Sequence, residues 1–254
     1  MRMTPERLPK ISIITVAYNA AATIRQTIES VLNQSYAPLE YLIIDGGSTD
    51  GTLEIIRAYA DRIDVVVSEP DRGIYDAMNK GLARAGGDYV YFLNADDCLI
   101  HPGILREVMA CCPDADVYYG DTKFVSENSG VPSRLRSEAT PHRVPEHLNW
   151  RSLSLGMVVS HQAFIIRRQL AESYDLRYRI CADIDWMIRS LKQCKSCCNT
   201  HLVISTFRMG GASKQRQKLA WKERYRILAI HYGRWTNAWN HLRIALRYLT
   251  HPRY

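Results

Sequence analysis

Tyr89-Val90-Tyr91-Phe92-Leu93-Asn94-Ala95-Asp96-Asp97 decides how this chain is read. A run of apolar, β-prone residues stops at an amide, a small residue and two adjacent carboxylates. Such a run predicts a buried strand. In an open α/β sheet the ligand site lies at the strand ends. Neighbouring carboxylates repel unless a cation or hydrogen-bond donors sit beside them. A hard divalent cation takes oxygen ligands, commonly one or two carboxylates plus substrate phosphates. The segment reads either as a metal–diphosphate site or as an Asp-rich turn, which Asp also favours.

The residues upstream set this strand in a series. Ile11 to Val16 predicts a strand followed by Ala17-Tyr18-Asn19, and Ile24, Ile28, Val31 and Leu32 then recur at helical spacing. Tyr41 to Ile44 predicts a second strand, ending at Asp45-Gly46-Gly47-Ser48-Thr49-Asp50-Gly51, with Asp50 able to cap a helix from Leu53 to Tyr59. Ile63 to Val67 predicts a third strand, and Pro70-Asp71-Arg72-Gly73 a turn. Ile74 to Ala85 predicts a helix stopped by Gly86-Gly87. The order β-α-β-α-β-α-β implies a parallel sheet with helices on both faces. Parallel strands end on one edge, so Tyr18, Asn19, Asp45, Asp71, Asp96 and Asp97 are expected to meet in one pocket.

In Ser12-Ile13-Ile14-Thr15-Val16-Ala17-Tyr18-Asn19, Ile44-Asp45-Gly46-Gly47-Ser48-Thr49-Asp50-Gly51-Thr52, Glu69-Pro70-Asp71-Arg72-Gly73-Ile74-Tyr75-Asp76-Ala77-Met78-Asn79-Lys80-Gly81 and Asn94-Ala95-Asp96-Asp97, the chain resembles the inverting family 2 glycosyltransferases of GT-A fold. The ordered set covers about the first hundred residues. The resemblance implies a nucleotide-diphosphate sugar donor. It places Asp45 on the base with Val16, Tyr18 and Asn19 lining that pocket, and Asp71 near the nucleoside. It also implies a divalent metal, Mn²⁺ or Mg²⁺, at the diphosphate. The family's Asp-x-Asp motif has Asn94 in its first position here, so the metal ligand is Asp96 or Asp97, with Asp96 favoured.

In the second half, Ala182-Asp183-Ile184-Asp185-Trp186 opens a helix running through Met187, Ile188 and Leu191. By resemblance Asp183 is the candidate general base, with Asp185 its neighbour. An Asp in a first helical turn is equally at home as a cap. His161 reads as an acceptor-site or diphosphate-site residue, or as a structural histidine on a strand edge. Arg208 and Gly210-Gly211-Ala212-Ser213 are similar to a family loop near the diphosphate. Residues Val125 to Asn149 read as a loop facing the acceptor. The Gln-x-x-Arg-Trp signature of processive relatives is absent, which implies single-sugar addition.

Composition narrows the class. A length of 254 residues allows one large or two small domains. No segment reaches the roughly 18 consecutive apolar residues of a membrane span, and no secretory leader is expected. Seven cysteines, in a chain expected in the cytoplasm, predict free thiols. Cys194-x-x-Cys197-Cys198 lacks the second ligand pair that a zinc site needs. Lys214 to Tyr254 carry ten basic residues and one acidic, a net +9, while the rest carries 23 against 25. Trp235, Trp239, Leu242, Leu246 and Leu249 form one helical stripe in this tail, with Arg234, Arg243 and Arg247 nearby. The stripe reads either as a surface for anionic membrane or as a face packed on the core. No nucleic-acid motif accompanies it.

The expectation is an α/β GT-A catalytic domain over residues 1–213, with a mostly parallel sheet flanked by helices. Residues 1–100 form its nucleotide-sugar half and 101–213 its acceptor half, with a basic helical tail at 214–254. The resemblance and the tail imply a lipid-linked saccharide acceptor in surface-polysaccharide assembly, and a cytoplasmic enzyme peripheral to the inner membrane face. Two other readings stand beside it. A sugar nucleotidyltransferase would need a Gly-rich phosphate loop after the first strand, where this chain has Ala17-Tyr18-Asn19-Ala20-Ala21-Ala22. A non-catalytic sugar-nucleotide-binding scaffold would not need Asp45, Asp96 and Asp183 together.

Overall fold

A computed structural model of the chain describes residues 8–125, 133–209 and 216–250, and of 244–250 the backbone alone. The first half alternates β1 (Ile11–Ala17), α1 (Ile24–Leu32), β2 (Leu39–Asp45), α2 (Thr52–Arg57), β3 (Val65–Ser68), α3 (Ile74–Leu82) and β4 (Tyr89–Phe92). Strand β1 runs parallel to both β2 and β4, and β2 runs parallel to β3. The order β3-β2-β1-β4 explains the helix placement. The chain steps outward from β1 to β3, then crosses back to β4, and right-handed crossovers in opposite directions put helices on opposite faces. Ile24, Ile28 and Val31 of α1 and Ile56 of α2 therefore pack on one face, with Ile11, Ile13 and Ile43. Tyr75, Ala77 and Met78 of α3 pack on the other, with Ile14, Val16 and Ile44. The order reverses between β1 and β4, which is where such sheets leave a crevice.

Helix α3 lies close against β1 because Gly81 faces it: a Cβ there would come 2.4 Å from Ile14 Cγ2. The helix ends at Leu82, three residues before the expected Ala85. Strand β4 is assigned only to Phe92, yet the N–H groups of Leu93 and Ala95 still donate to the carbonyls of Ile14 and Val16. The run to Asp96 is thus held against β1 to its end.

The second half departs from an all-parallel sheet. It contains β5 (Cys98–Leu99), α4 (Ile104–Cys111), β6 (Val117–Val125), β7 (Arg134–Leu135), α5 (Arg136–Ala139), β8 (Phe164–Arg167), α6 (Ala182–Gln193), β9 (Cys197–Arg208), α7 (Gln217–Tyr232) and α8 (Arg234–Thr250). The full order is β3-β2-β1-β4-β8-β6-β9-β5, with β7 on β6. Strand β8 is antiparallel to both β4 and β6, and β6 is parallel to β9. Two successive reversals make β6 and β9 parallel to β4, so Val125 and Arg208 lie at the same edge as Asn94 to Asp97.

Helix α7 is built into the α3–α6 face, with Ala220, Ile227 and Leu228 buried there. Helix α8 is inverted by comparison. Among its described side chains the buried ones are Asn237 and Asn240, whose amides donate to Tyr225 O (3.0 Å) and Ser154 O (3.2 Å). Its outward positions include Trp235, Trp239 and Leu242, which are 90%, 62% and 49% exposed. The side chains of Arg247, Leu246 and Leu249 in the expected stripe, and the whole of Gly210 to Ser213, fall outside the described residues.

The expectation of free thiols is corrected for two of the seven cysteines. Cys112, just past α4, and Cys198 on β9 form a disulfide with Cα atoms 6.1 Å apart. The helix end and the strand that it packs on bring them together, a proximity that a sequence separation of 86 conceals. Cys98, Cys111, Cys181, Cys194 and Cys197 stay free. Thiol titration in denaturant without reductant should therefore count five, and seven after reduction. Reduction should lower the melting temperature, since a bridge over a long loop contributes about 2–4 kcal/mol. Seven thiols without reductant would contradict the bridge.

Candidate active site

The loops after β1 and β2 are zipped together by short polar side chains. Asn19 adopts a left-handed backbone (φ 49°), a conformation Asn tolerates. Its N–H donates to Ser48 Oγ (2.8 Å), and its Oδ1 accepts from Thr49 N (2.9 Å). Asp50 accepts from Ala21 N (3.0 Å) and Thr52 N (3.1 Å), joining the start of α2 to the loop before α1. Asp45 is fully buried beneath this loop. Its carboxylate accepts from Ser48 Oγ (2.5 Å), Ser48 N (3.1 Å), Gly47 N (3.2 Å) and Ser68 Oγ (2.7 Å). Asp45 thus shapes the loop from below, and four donors occupy the oxygens that were expected to reach a base.

Above it, Tyr18, Gly46 and Asp71 converge. Tyr18 is 66% exposed. Gly46 has no side chain to separate it from its neighbours: a Cβ there would fall 2.3 Å from Asp71 Oδ2 and 3.4 Å from Tyr18 Cδ2. Asp71 Oδ1 accepts from Gly73 N (2.7 Å), which holds the turn into α3. An aromatic ring, a bare backbone and a carboxylate therefore stand together at the β1–β2 edge, with Val16 buried below.

At the end of β4, Asp97 is fully buried and Asp96 is half-buried. Asp97 Oδ1 accepts from the Arg208 N–H (3.1 Å), tying this edge to β9. Burial, followed by the Asp96 charge, holds the Asp97 carboxyl well above the usual range. Asp97 Oδ2 and Asn94 Oδ1 are buried and meet no donor among the described residues. Orphaned buried oxygens beside a second carboxylate fit a hard divalent cation. No group of three or more His, Cys, Asp or Glu that could hold a metal stands together among the described residues.

The third component enters on α6. Asp183 is half-buried in its first turn. Its Oδ1 accepts from Tyr75 Oη (3.2 Å) and Ile184 N (2.9 Å). Burial pushes its carboxyl up to about 6, against these two hydrogen bonds and the Arg224 charge. Tyr75 lies just past Gly73 at the start of α3, so Asp183 sits at the edge that carries Asp71. Asn79, one turn further along α3, holds the segment before α6 through paired bonds to Tyr174 O (3.0 Å) and Tyr174 N (2.7 Å).

His161 and Asp185 are placed elsewhere. His161 is buried, stacks on Phe92 and shares a 2.6 Å hydrogen bond with Tyr174 Oη. Burial pushes its imidazole down to about 4, so it stays neutral inside an aromatic cluster with Trp186. Asp185 lies two residues from Asp183, on another side of the helix. It is buried between Arg189 Nε (2.8 Å) and His231 Nε2 (2.8 Å). Burial alone would raise its carboxyl; these partners hold it below the usual range. Arg208 contributes its backbone to Asp97, and its Nη2 lies 3.5 Å from Gln26 Oε1. Tyr75, Asn79 and Tyr174 were not among the expected site residues. The first two stand inside the quoted Glu69–Gly81 stretch; nothing local marks Tyr174.

Comparison with known proteins identifies the family. Residues 12–174 match the model of glycosyl transferase family 2. A PGL/p-HBAD biosynthesis glycosyltransferase of Mycobacterium tuberculosis is 33% identical over 190 residues, covering 71% of this chain and 69% of that protein. A putative teichuronic acid biosynthesis glycosyltransferase of Bacillus subtilis, TuaG, is 47% identical over 92 residues, covering 35% and 36%. The solved S. aureus TarS 1-349 in complex with UDP-GlcNAc superposes with a TM-score of 0.69 at 19% identity, over 87% of this chain and 66% of that one, just under two thirds of its length. With β1 to β8 and the cleft from Val16 to Asp97 inside the matched span, the chain belongs to glycosyl transferase family 2 and is a glycosyltransferase.

Proposed function

We propose that the chain transfers one sugar from a nucleotide-diphosphate sugar to an acceptor hydroxyl, with inversion at the anomeric carbon. The observation that carries this reading is Asp183: a half-buried carboxylate, raised to about 6, at the edge that also gathers Asp71 and Tyr18. Tyr18, Gly46 and Asp71 receive the nucleoside, with Val16 and Asn19 forming the wall and Asp45 fixing the loop. Asn94 and Asp96 face the diphosphate, with Asp97 beneath them. Mn²⁺ or Mg²⁺ held by Asp96 and Asp97 would supply positive charge to the leaving diphosphate.

The step needs a single base. The acceptor oxygen forms a bond to the anomeric carbon, and the bond from that carbon to the diphosphate oxygen breaks. Its proton goes to Asp183, and the negative charge leaves with the nucleoside diphosphate. One displacement from the face opposite the leaving group inverts the centre. Tyr75 Oη steadies the same carboxylate oxygen that Ile184 N–H holds, which leaves Asp183 Oδ2 for the acceptor.

The acceptor we infer is a lipid-linked saccharide in surface-polysaccharide assembly, and support comes from α8. A helix that buries asparagines and exposes Trp235, Trp239 and Leu242, flanked by exposed Arg234 and Arg243, suits an anionic membrane surface. Among the described residues no helix is long and apolar enough to cross a membrane. Attachment at an interface would put the enzyme on the membrane face where its lipid-linked acceptor resides, which we take to be the cytoplasmic one.

Asp183→Asn keeps shape but takes no proton at neutral pH. It should lower kcat by roughly 10²-fold or more while donor affinity stays at the wild-type value. In the wild type, kcat should climb as pH rises through about 6, because the base must be ionised. Undiminished kcat in Asp183→Asn would refute the role. The membrane reading is tested on the full chain with Trp235→Ser and Trp239→Ser combined, both exposed in the fold. Binding to anionic vesicles should fall by roughly tenfold or more, and salt should weaken what remains. Equal binding of wild type to neutral vesicles would contradict it.

A further inference from the structure

The turn that delivers Asp183 is gripped from α7, beyond the span that matches the family. Glu223 on α7 is 7% exposed, and its carboxylate accepts from three successive backbone N–H groups: Arg179 (2.8 Å), Ile180 (2.9 Å) and Cys181 (3.0 Å). Successive N–H groups turned toward one point make an anion-binding concavity. Here a side chain of the same protein fills it. Cys181 Sγ also donates to Ala220 O (3.4 Å), one turn earlier on α7. On the opposite side, Tyr75 Oη lies 2.8 Å from Ile180 O and 3.2 Å from Asp183 Oδ1. The first turn of α6 is thus clamped between α3 and α7.

Packing alone does not account for an acid at this position. Ala220, Ile227 and Leu228 already bury the inner face of α7, and an apolar residue at 223 would extend it. A buried carboxylate is retained at a cost unless its partners need it. Its partners are the three N–H groups immediately before α6, which no other described side chain is seen to satisfy.

We propose that Glu223 is a positioning residue for the transfer reaction, fixing through residues 179–181 where Asp183 presents its carboxylate. The proposal rests on Asp183 as the base. It predicts that Glu223→Gln, which puts an amide donor where N–H groups converge, lowers kcat roughly 10-fold to 10²-fold. KM and the dissociation constant for the nucleotide sugar should stay unchanged. Residues acting as one unit are non-additive, so Glu223→Gln should cost little further kcat once Asp183→Asn is present. If Glu223→Gln does not fold, Glu223→Asp keeps the charge on a shorter arm and carries the same kcat-against-KM test. Unchanged kcat in a folded variant overturns the proposal, as does an equal fold-loss in the Asp183→Asn background. Full kcat in Asp183→Asn alone removes the base, and the positioning role with it. A large loss in Asp183→Asn with none in either Glu223 variant leaves the base standing and refutes the clamp.

Discussion

Backbone N–H groups donating to buried carboxylates hold the working edge of this sheet. Asp45 gathers the N–H groups of Gly47 and Ser48 and fixes the loop after β2. Asp97 takes the N–H of Arg208 and ties the end of β4 to the end of β9. Glu223 takes three N–H groups in front of α6. Charge-assisted bonds of this kind are roughly twice as strong as neutral ones, and losing one partner leaves a buried charge uncompensated. The cleft is therefore preorganised from beneath: its buried acids shape loops, while Asp71, Asp96 and Asp183 remain partly exposed at the edge.

Asp183 shows what that arrangement costs. Its folded value of about 6 lies above the ordinary Asp value of 3.8, so the folded chain holds this proton more tightly than the unfolded one. The stabilisation from this group is fully present below 3.8 and is lost as pH rises through about 6. At neutral pH the ionised carboxylate is a net liability of roughly 1–3 kcal/mol, offset by packing elsewhere. The same burial makes it a better proton acceptor than an exposed Asp, the familiar exchange of stability for activity.

The first four strands and three helices were legible because each strand carries an apolar, β-prone run and turn residues separate it from its neighbours. Crossover handedness then fixes which face each helix takes, once the strand order is known. In the second half the helix at Ala182 and the helical tail were legible, but the strand pairing was not, for identifiable reasons. Strands β5 and β7 are two residues long, and the pairing of β6 with β9 changes register between Tyr119 and Thr122. The residues at the edge could be named in advance, but their directions could not. Asp45 stands where a strand-end acid was expected and turns downward, because Ser48 and Ser68 supply donors there. Asp183 and Asp185 are two apart, and only the position of α7 reveals that His231 claims the second. His161 was drawn into an aromatic cluster assembled from β4, α6 and the loop at Tyr174. The apolar stripe of α8 was visible, yet its exposure depends on Asn237 and Asn240 facing inward, which sequence periodicity does not announce.

The central claim is that this edge binds a nucleotide-diphosphate sugar through Asp96 and a divalent cation. Calorimetric titration of UDP-, GDP- and dTDP-sugars into the full chain tests it most directly, in Mn²⁺, in excess EDTA, and with Asp96→Ala in place of wild type. The expected result is saturable binding for at least one base in Mn²⁺, lost in EDTA and in Asp96→Ala, with the variant still folded. Undiminished binding by Asp96→Ala in excess chelator would contradict the claim.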